Sequence, residues 1–156
     1  DEVKKGKVKF SEQEENGYTL FQNNCNSCHT EPLFSTYGFA NNGLPVDTTL
    51  NDFGKWMISK QSVDSLVFKI PSLRNLKFTH PYMHDGRFKK VSQILNHYTD
   101  GIHQSTTLAD ELKVPIKLTS NEKTDLLAFL LTLNDKDFVF NPKHQFPKDF
   151  LLKAQD

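Results

Sequence analysis

Apolar residues fall at helical spacing in three stretches of the chain, each marked by a start or stop signal. Ser11 and Glu14 form an S-x-x-E capping box ahead of Tyr18, Leu20 and Phe21, which predicts a helix running to about Asn23. From Lys89, "KKVSQILNHYTDG" sets Val91, Ile94, Leu95 and Tyr98 on one face and stops at Gly101, a C-terminal signal. Thr119 and Glu122 repeat the capping box before Leu126, Leu127, Phe129, Leu130 and Leu133, the strongest helical pattern present. Residues 30–62 show no period, and Gly, Asn, Asp and Pro recur there, "GFANNGLP" being turn chemistry. An ordered loop of that length in a compact domain suits a cover over a ligand. Beyond the short apolar stretch from Leu66 to Ile70, two prolines and a glycine predict irregular chain with a helical turn. Residues 1–10 read as a charged lead-in and residues 11–135 as the domain. Residues 136–156, with Phe138, Phe140, Phe146 and Phe150 among prolines, read as an extension wrapping it. The expected fold is mainly α, with an early and a late helix bracketing long ordered loops.

Composition narrows the function class. At 156 residues the chain is long enough for one real core. Nineteen basic residues balance nineteen acidic ones, so there is no electrostatic footprint for nucleic acid or an anionic membrane. No apolar run approaches the length that spans a bilayer. Thirteen phenylalanines are an excess for this size, fitting either an aromatic core or a large flat apolar ligand. The chain begins at Asp1 with neither an initiator Met nor an apolar leader, which leads us to expect a mature exported chain or a fragment.

The only cysteines lie in "CNSCH", residues 25–29. C-x-x-C followed at once by His is the attachment signature of c-type haem. Two thiols so spaced can both reach the vinyl groups on one edge of the ring, and the adjacent imidazole then lies under the iron. Cys25 and Cys28 would form the thioethers and His29 would be the proximal ligand. The other readings are poorer. Zinc needs further ligands and no third Cys exists. A thioredoxin-like redox pair needs a βαβ setting that the pattern lacks, and a disulfide closing so small a loop stabilises little. For the other side of the iron the chain offers Met57, His80, Met83, His84, His97, Tyr98 and His103. Spacing alone leans slightly to Met83, a thioether being a familiar haem ligand, while each candidate has an ordinary structural reading as a core or surface residue.

The motifs "SEQEENGYTLFQNNCNSCHTEPLF", "FANNGL", "FKIPSLRNLKFTHPYMHDGRFKKVSQILNHYTDG" and "LTSNEKTDLLAFLLTL", in that order, resemble the bacterial di-haem cytochrome c peroxidase family, including its MauG-like branch. The resemblance covers roughly residues 10–135 and is to the C-terminal haem domain. It implies a cytochrome c-like helical fold around one covalent haem c, in an oxidoreductase of the bacterial periplasm or another exported setting. Such a domain takes electrons from a small redox donor protein and passes or stores them for peroxide-dependent chemistry at a second haem. The family's axial position lies fourteen residues after the His of "HDG"; counted from His84 it is Tyr98, the ligand type of the MauG-like branch, with Met83 as the alternative. Arg74 and His84 carry over as positions near the haem, Arg74 as a propionate partner or a surface ion pair. Lys55 and Trp56, in the covering loop, are placed near the propionates as well. Carbonyls of Thr79 and Pro81 would contribute half of an interdomain calcium site. One departure matters: only one C-x-x-C-H is present, so the second haem domain lies in a missing half or on another chain. A stand-alone mono-haem electron carrier is the alternative, and a haem sensor a weaker third.

Overall fold

The computed structural model describes residues 1–145. Helix α1 (Glu12–Asn24) opens on the predicted box: the Glu14 backbone N–H donates to Ser11 Oγ, and the Glu14 carboxylate accepts the Ser11 backbone N–H. Helix α4 (Ser120–Leu131) opens the same way through Thr119 and Glu122. Between them come two-residue strands β1 (Phe39–Ala40) and β2 (Phe68–Lys69), paired antiparallel with Phe39 opposite Lys69, and a four-residue helix α2 (Trp56–Ser59). A single 3₁₀ turn, Leu76–Phe78, occupies the stretch expected to be irregular. Helix α3 (Val91–Asn96) runs directly into a π-helical turn, His97–Gly101. The mainly helical expectation therefore stands, with a small sheet that pairs the aperiodic stretch with the short apolar one from Leu66 to Ile70. Strands of two residues are too short to show an alternation of two.

The core lies where α1 crosses α4. Phe21, Leu126 and Phe129 are almost wholly buried, with Phe34, Leu76, Leu95 and Leu130 around them. Each such side chain contributes on the order of 1.5–3 kcal/mol by leaving water. Rings dominate it: Phe129 meets Phe21 at 5.2 Å and Tyr18 at 5.1 Å, and Phe10 closes edge-on at 5.9 Å. Five of the thirteen phenylalanines, Phe10, Phe21, Phe34, Phe88 and Phe129, form this core or pack against it. The crossing is close because α1 carries glycine there: a Cβ on Gly17 would stand 2.0 Å from the Asp125 carbonyl oxygen.

The loops are ordered by polar side chains. Asn41 is almost fully buried; its amide donates to Ser105 Oγ at 3.0 Å and Thr107 Oγ1 at 2.9 Å, and its Oδ1 accepts the Gly43 N–H at 2.8 Å. Gly43 holds φ at +71°, and a side chain there would meet Ile102. The turn "NNG" is thereby pinned to residues 103–109. After α4, helix α5 (Lys136–Val139) and a 3₁₀ turn over Pro142–His144 complete the described chain. Phe140 packs edge-on against Phe78, and Phe138 tilts onto His144, both phenylalanines remaining largely exposed. Phe146 and Phe150, also assigned to the wrapping extension, lie outside the described residues.

Candidate haem site

The C-terminal end of α1 feeds straight into the cysteine motif. Cys25 caps the helix, its N–H donating to the Phe21 carbonyl at 2.8 Å, and the His29 N–H then donates to the Cys25 carbonyl at 2.9 Å. The five residues make a tight turn that sets both cysteines and the imidazole in the wall of one open-mouthed cavity. Its wall is mostly apolar, with Ala40, Phe68, Ile70, Pro71, Leu112 and Ile116 beside Cys25, Cys28, His29, Asn42 and Tyr98.

The loop carrying the imidazole is tied down on both sides. Glu31 accepts from Tyr18 Oη at 2.8 Å and Gln22 Nε2 at 3.0 Å on α1, and pairs with Lys4. Arg74 donates to the Pro32 carbonyl through Nε at 2.9 Å and Nη2 at 2.5 Å, and reaches Asp1 at 3.0 Å. Ser35 Oγ donates to the Ile70 carbonyl at 2.8 Å. Within this frame His29 Nδ1 stands 3.1 Å from the Phe34 carbonyl. An N–H on Nδ1 makes that bond, which fixes the tautomer and leaves Nε2 as the lone-pair nitrogen. Burial holds the His29 pKa below the usual imidazole value, while the Phe34 and Pro71 carbonyls act against that shift.

The thiols are equally informative. Both cysteines are free, so no disulfide joins them. Burial, and secondarily the neighbouring Cys28, pushes the Cys25 thiol up to about 12. A thiol that stays protonated is a poor metal ligand and a poor redox nucleophile. Among the described residues no group of three or more His, Cys, Asp or Glu side chains converges on a metal position, which removes support from the zinc reading. What the wall does fit in its chemistry is a covalently held haem: two thiols three apart, one neutral imidazole of fixed tautomer, and a mostly apolar surface around them.

Tyr98 enters the same cavity from the π-helical turn. Its carbonyl accepts the Ile116 N–H at 3.2 Å, and Lys123 on α4 holds the flanking residues through Asn96 Oδ1 at 3.0 Å and Thr99 Oγ1 at 2.9 Å. Burial pushes the Tyr98 phenol up to about 12; Asn42 works in the opposite direction, and Cys25 and Cys28 add to the rise. The surface the phenol keeps opens into the cavity.

The other predicted residues are placed differently. Met83 lies outside the wall, its Sδ accepting from Asn42 Nδ2 at 3.5 Å. His84 stacks on Phe68, ring centres 3.6 Å apart, and does not itself line the wall. Arg74 is occupied with the Pro32 carbonyl. Lys55 pairs with Asp64 at 2.9 Å, and Trp56 packs against Phe53 under the Lys60 ammonium; neither lines the cavity. Thr79 and Pro81 sit together on the surface. Sequence reasoning missed Asn42 and the whole segment from Ala109 to Ile116, which closes the wall without any helical or strand pattern to announce it.

A family model described as cytochrome c matches residues 14–134. The chain belongs to the cytochrome c family. That membership implies a covalent haem c. Among curated relatives, the methylamine utilization protein MauG of Methylorubrum extorquens is 36% identical over 121 residues, covering 75% of this chain and 33% of MauG. The cytochrome-c peroxidase IdrP1 of a Pseudomonas species is 29% identical over 164 residues, covering 86% of this chain and 43% of that protein. Relatives of this name are oxidoreductase enzymes. Among solved structures, a MauG-like protein associated with microbial copper homeostasis superposes with a TM-score of 0.80 at 28% identity, covering 94% of this chain and 51% of that one. The cytochrome c domain therefore spans between a third and about half of the relatives it matches. No helix among the described residues is long and apolar enough to cross a membrane.

Proposed function

We propose that this cytochrome c domain is the haem c half of a di-haem peroxidase- or MauG-like oxidoreductase, held by Cys25, Cys28 and His29 and completed at the iron by Tyr98. The observation that carries this reading is the convergence of a tautomer-fixed imidazole and a buried phenol on the wall that also holds both thiols. A haem bound there would supply one-electron chemistry, with a phenolate favouring the ferric and higher oxidation states over the ferrous one. The chain's own contribution is to fix the donors. Phe34 orients the imidazole by accepting at Nδ1, and burial keeps its proton count at one. The apolar wall keeps the Tyr98 proton on Oη until a cation compensates for its loss. Such a centre suits the storage or relay of oxidising equivalents for peroxide-dependent chemistry at a second haem outside this chain. The shares of the relatives covered support a partner domain of comparable size, and a small redox donor protein and an exported, periplasmic setting go with the same reading. Thr79 and Pro81 would face that partner domain: both are exposed, and among the described residues neither carbonyl accepts a hydrogen bond, which leaves them open to a calcium ion.

Low-temperature electron paramagnetic resonance of the ferric protein tests the ligand assignment. The wild type is expected to give a low-spin signal that becomes high-spin in Tyr98→Phe. A signal unmoved by the substitution would remove Tyr98, and Met83→Leu would be the next variant to examine. A high-spin wild type would mean an open iron and would overturn the storage reading in favour of chemistry at this haem itself.

A further inference from the structure

The π-helical turn that carries Tyr98 is held from two sides. On one side His97 is buried, and an N–H on its Nε2 donates to the Asn42 carbonyl at 2.9 Å. On the other lies Lys123, which belongs to α4. An ammonium has three hydrogens to donate, and three acceptors stand before this one. They are Asn96 Oδ1 at 3.0 Å, Thr99 Oγ1 at 2.9 Å and the Asp100 carboxylate at 3.7 Å. Asn96 precedes the turn while Thr99 and Asp100 lie within it, so the three bracket Tyr98 in sequence. Only 23% of the Lys123 side chain is exposed, which directs the ammonium to the turn more than to solvent. A π turn carries one more residue than the α turn it replaces, and it is rarely adopted. Relaxing it to α geometry would rotate the chain by about 100°, the step of one helical residue. The phenol would then leave the direction in which it enters the cavity.

We propose that Lys123 is a positioning residue that locks the π-helical turn in the register from which Tyr98 reaches the place opposite His29. The inference rests on Tyr98 being the ligand. Ligation needs the turn in that register, so any population of another register weakens the hold by the fraction lost. The position of Lys123 gives the lock its purchase. It stands on α4, whose close crossing with α1 also supports the cysteine motif. Its side chain therefore ties the tyrosine side of the cavity to the body that carries Cys25, Cys28 and His29. Lys123 does not line the cavity, so it acts through the turn and touches no reacting atom.

Imidazole added to the haem-loaded ferric protein competes with the internal ligand, and its affinity, read from the absorption spectrum, measures how firmly that ligand is held. Tyr98→Phe should bind imidazole at least tenfold more tightly than the wild type. Lys123→Met keeps a long apolar stem but has nothing to donate; it should bind imidazole about fivefold more tightly, the share of one hydrogen bond. In the Tyr98→Phe background the same change should leave the affinity where it was, because no phenol remains to be positioned. Were Lys123 only a structural tie, Lys123→Met would match the wild type in imidazole affinity, whatever its urea midpoint, and the inference would fall. A fivefold rise that persisted in the Tyr98→Phe background would mean that the variant loosens the pocket at large, which also overturns it. If Tyr98→Phe itself left imidazole affinity unchanged, the ligand assignment would fall, and the inference with it.

Discussion

The double variant Cys25→Ala/Cys28→Ala will run on a denaturing gel with no haem on the chain, whereas the parent protein will carry its haem through denaturation. The expectation follows from geometry, since both thiols open onto one cavity and no other cysteine exists anywhere in the sequence. Either single variant retains one thiol in the wall and should keep a haem-staining band of lower intensity. His29 remains in place in all three, fixed by the Phe34 carbonyl, so some haem will still associate under native conditions and be lost on unfolding. The contrast between native and denaturing conditions separates attachment from pocket formation. A double variant that stains like the parent would place the attachment elsewhere and undo the site.

Gly17→Ala will destabilise the fold by about 3 kcal/mol or more, although exposed helix positions usually gain about 1 kcal/mol from the same change. The sign is decided by the crossing of α1 and α4. The added Cβ would fall 2.0 Å from the Asp125 carbonyl oxygen and 2.8 Å from the Phe129 Cβ, so the helices must part. Parting them loosens Phe21 and Phe129, the most deeply buried rings of the core. Urea unfolding of the haem-loaded variant beside the parent reads the difference directly. An unchanged or higher midpoint would mean that the helices do not approach as described.

Signals that are local in the chain were legible in the sequence. Both capping boxes, at Ser11/Glu14 and Thr119/Glu122, are read within four residues and form as expected. The motif "CNSCH" is equally short-range, and its three functional side chains share one cavity. The apolar face from Val91 to Tyr98 was legible, but the π-helical turn at its end was not, because widening a helix by one residue over one turn leaves the apolar spacing nearly intact.

What escaped the sequence depends on contacts far apart along the chain. Asn42 and Tyr98 line one cavity although fifty-five residues separate them, and in sequence Asn42 is simply one of two asparagines in a turn. Leu112 and Ile116 reach the cavity from a segment with neither helical nor alternating pattern. Spacing alone favoured Met83, whose neighbours in sequence are aromatic, whereas the left-handed backbone at Met83, φ +70°, and the Asn42 amide keep it outside the wall. Arg74 was read as a partner for a propionate or an acid. Its bonds to the Pro32 carbonyl, forty-two residues away, show it bracing the loop that carries His29 and Phe34.

The backbone contact between Gly17 and Asp125 also divides the molecule mechanically. Where two helices touch main chain to main chain, neither can slide without unfolding, so α1 and α4 behave as one stiff body with the thiols and imidazole at its tip. The phenol side is built differently, from a π-helical turn, the Asn41–Gly43 turn and the segment from His103 to Leu118, joined by loop hydrogen bonds rather than by a helix crossing. Breathing of the cavity will therefore come from the tyrosine side. Hydrogen–deuterium exchange should show it, with the amides of Phe21 and Phe129 the last to exchange and those of residues 103–118 among the first. A cofactor held this way has one wall that never moves and one that yields.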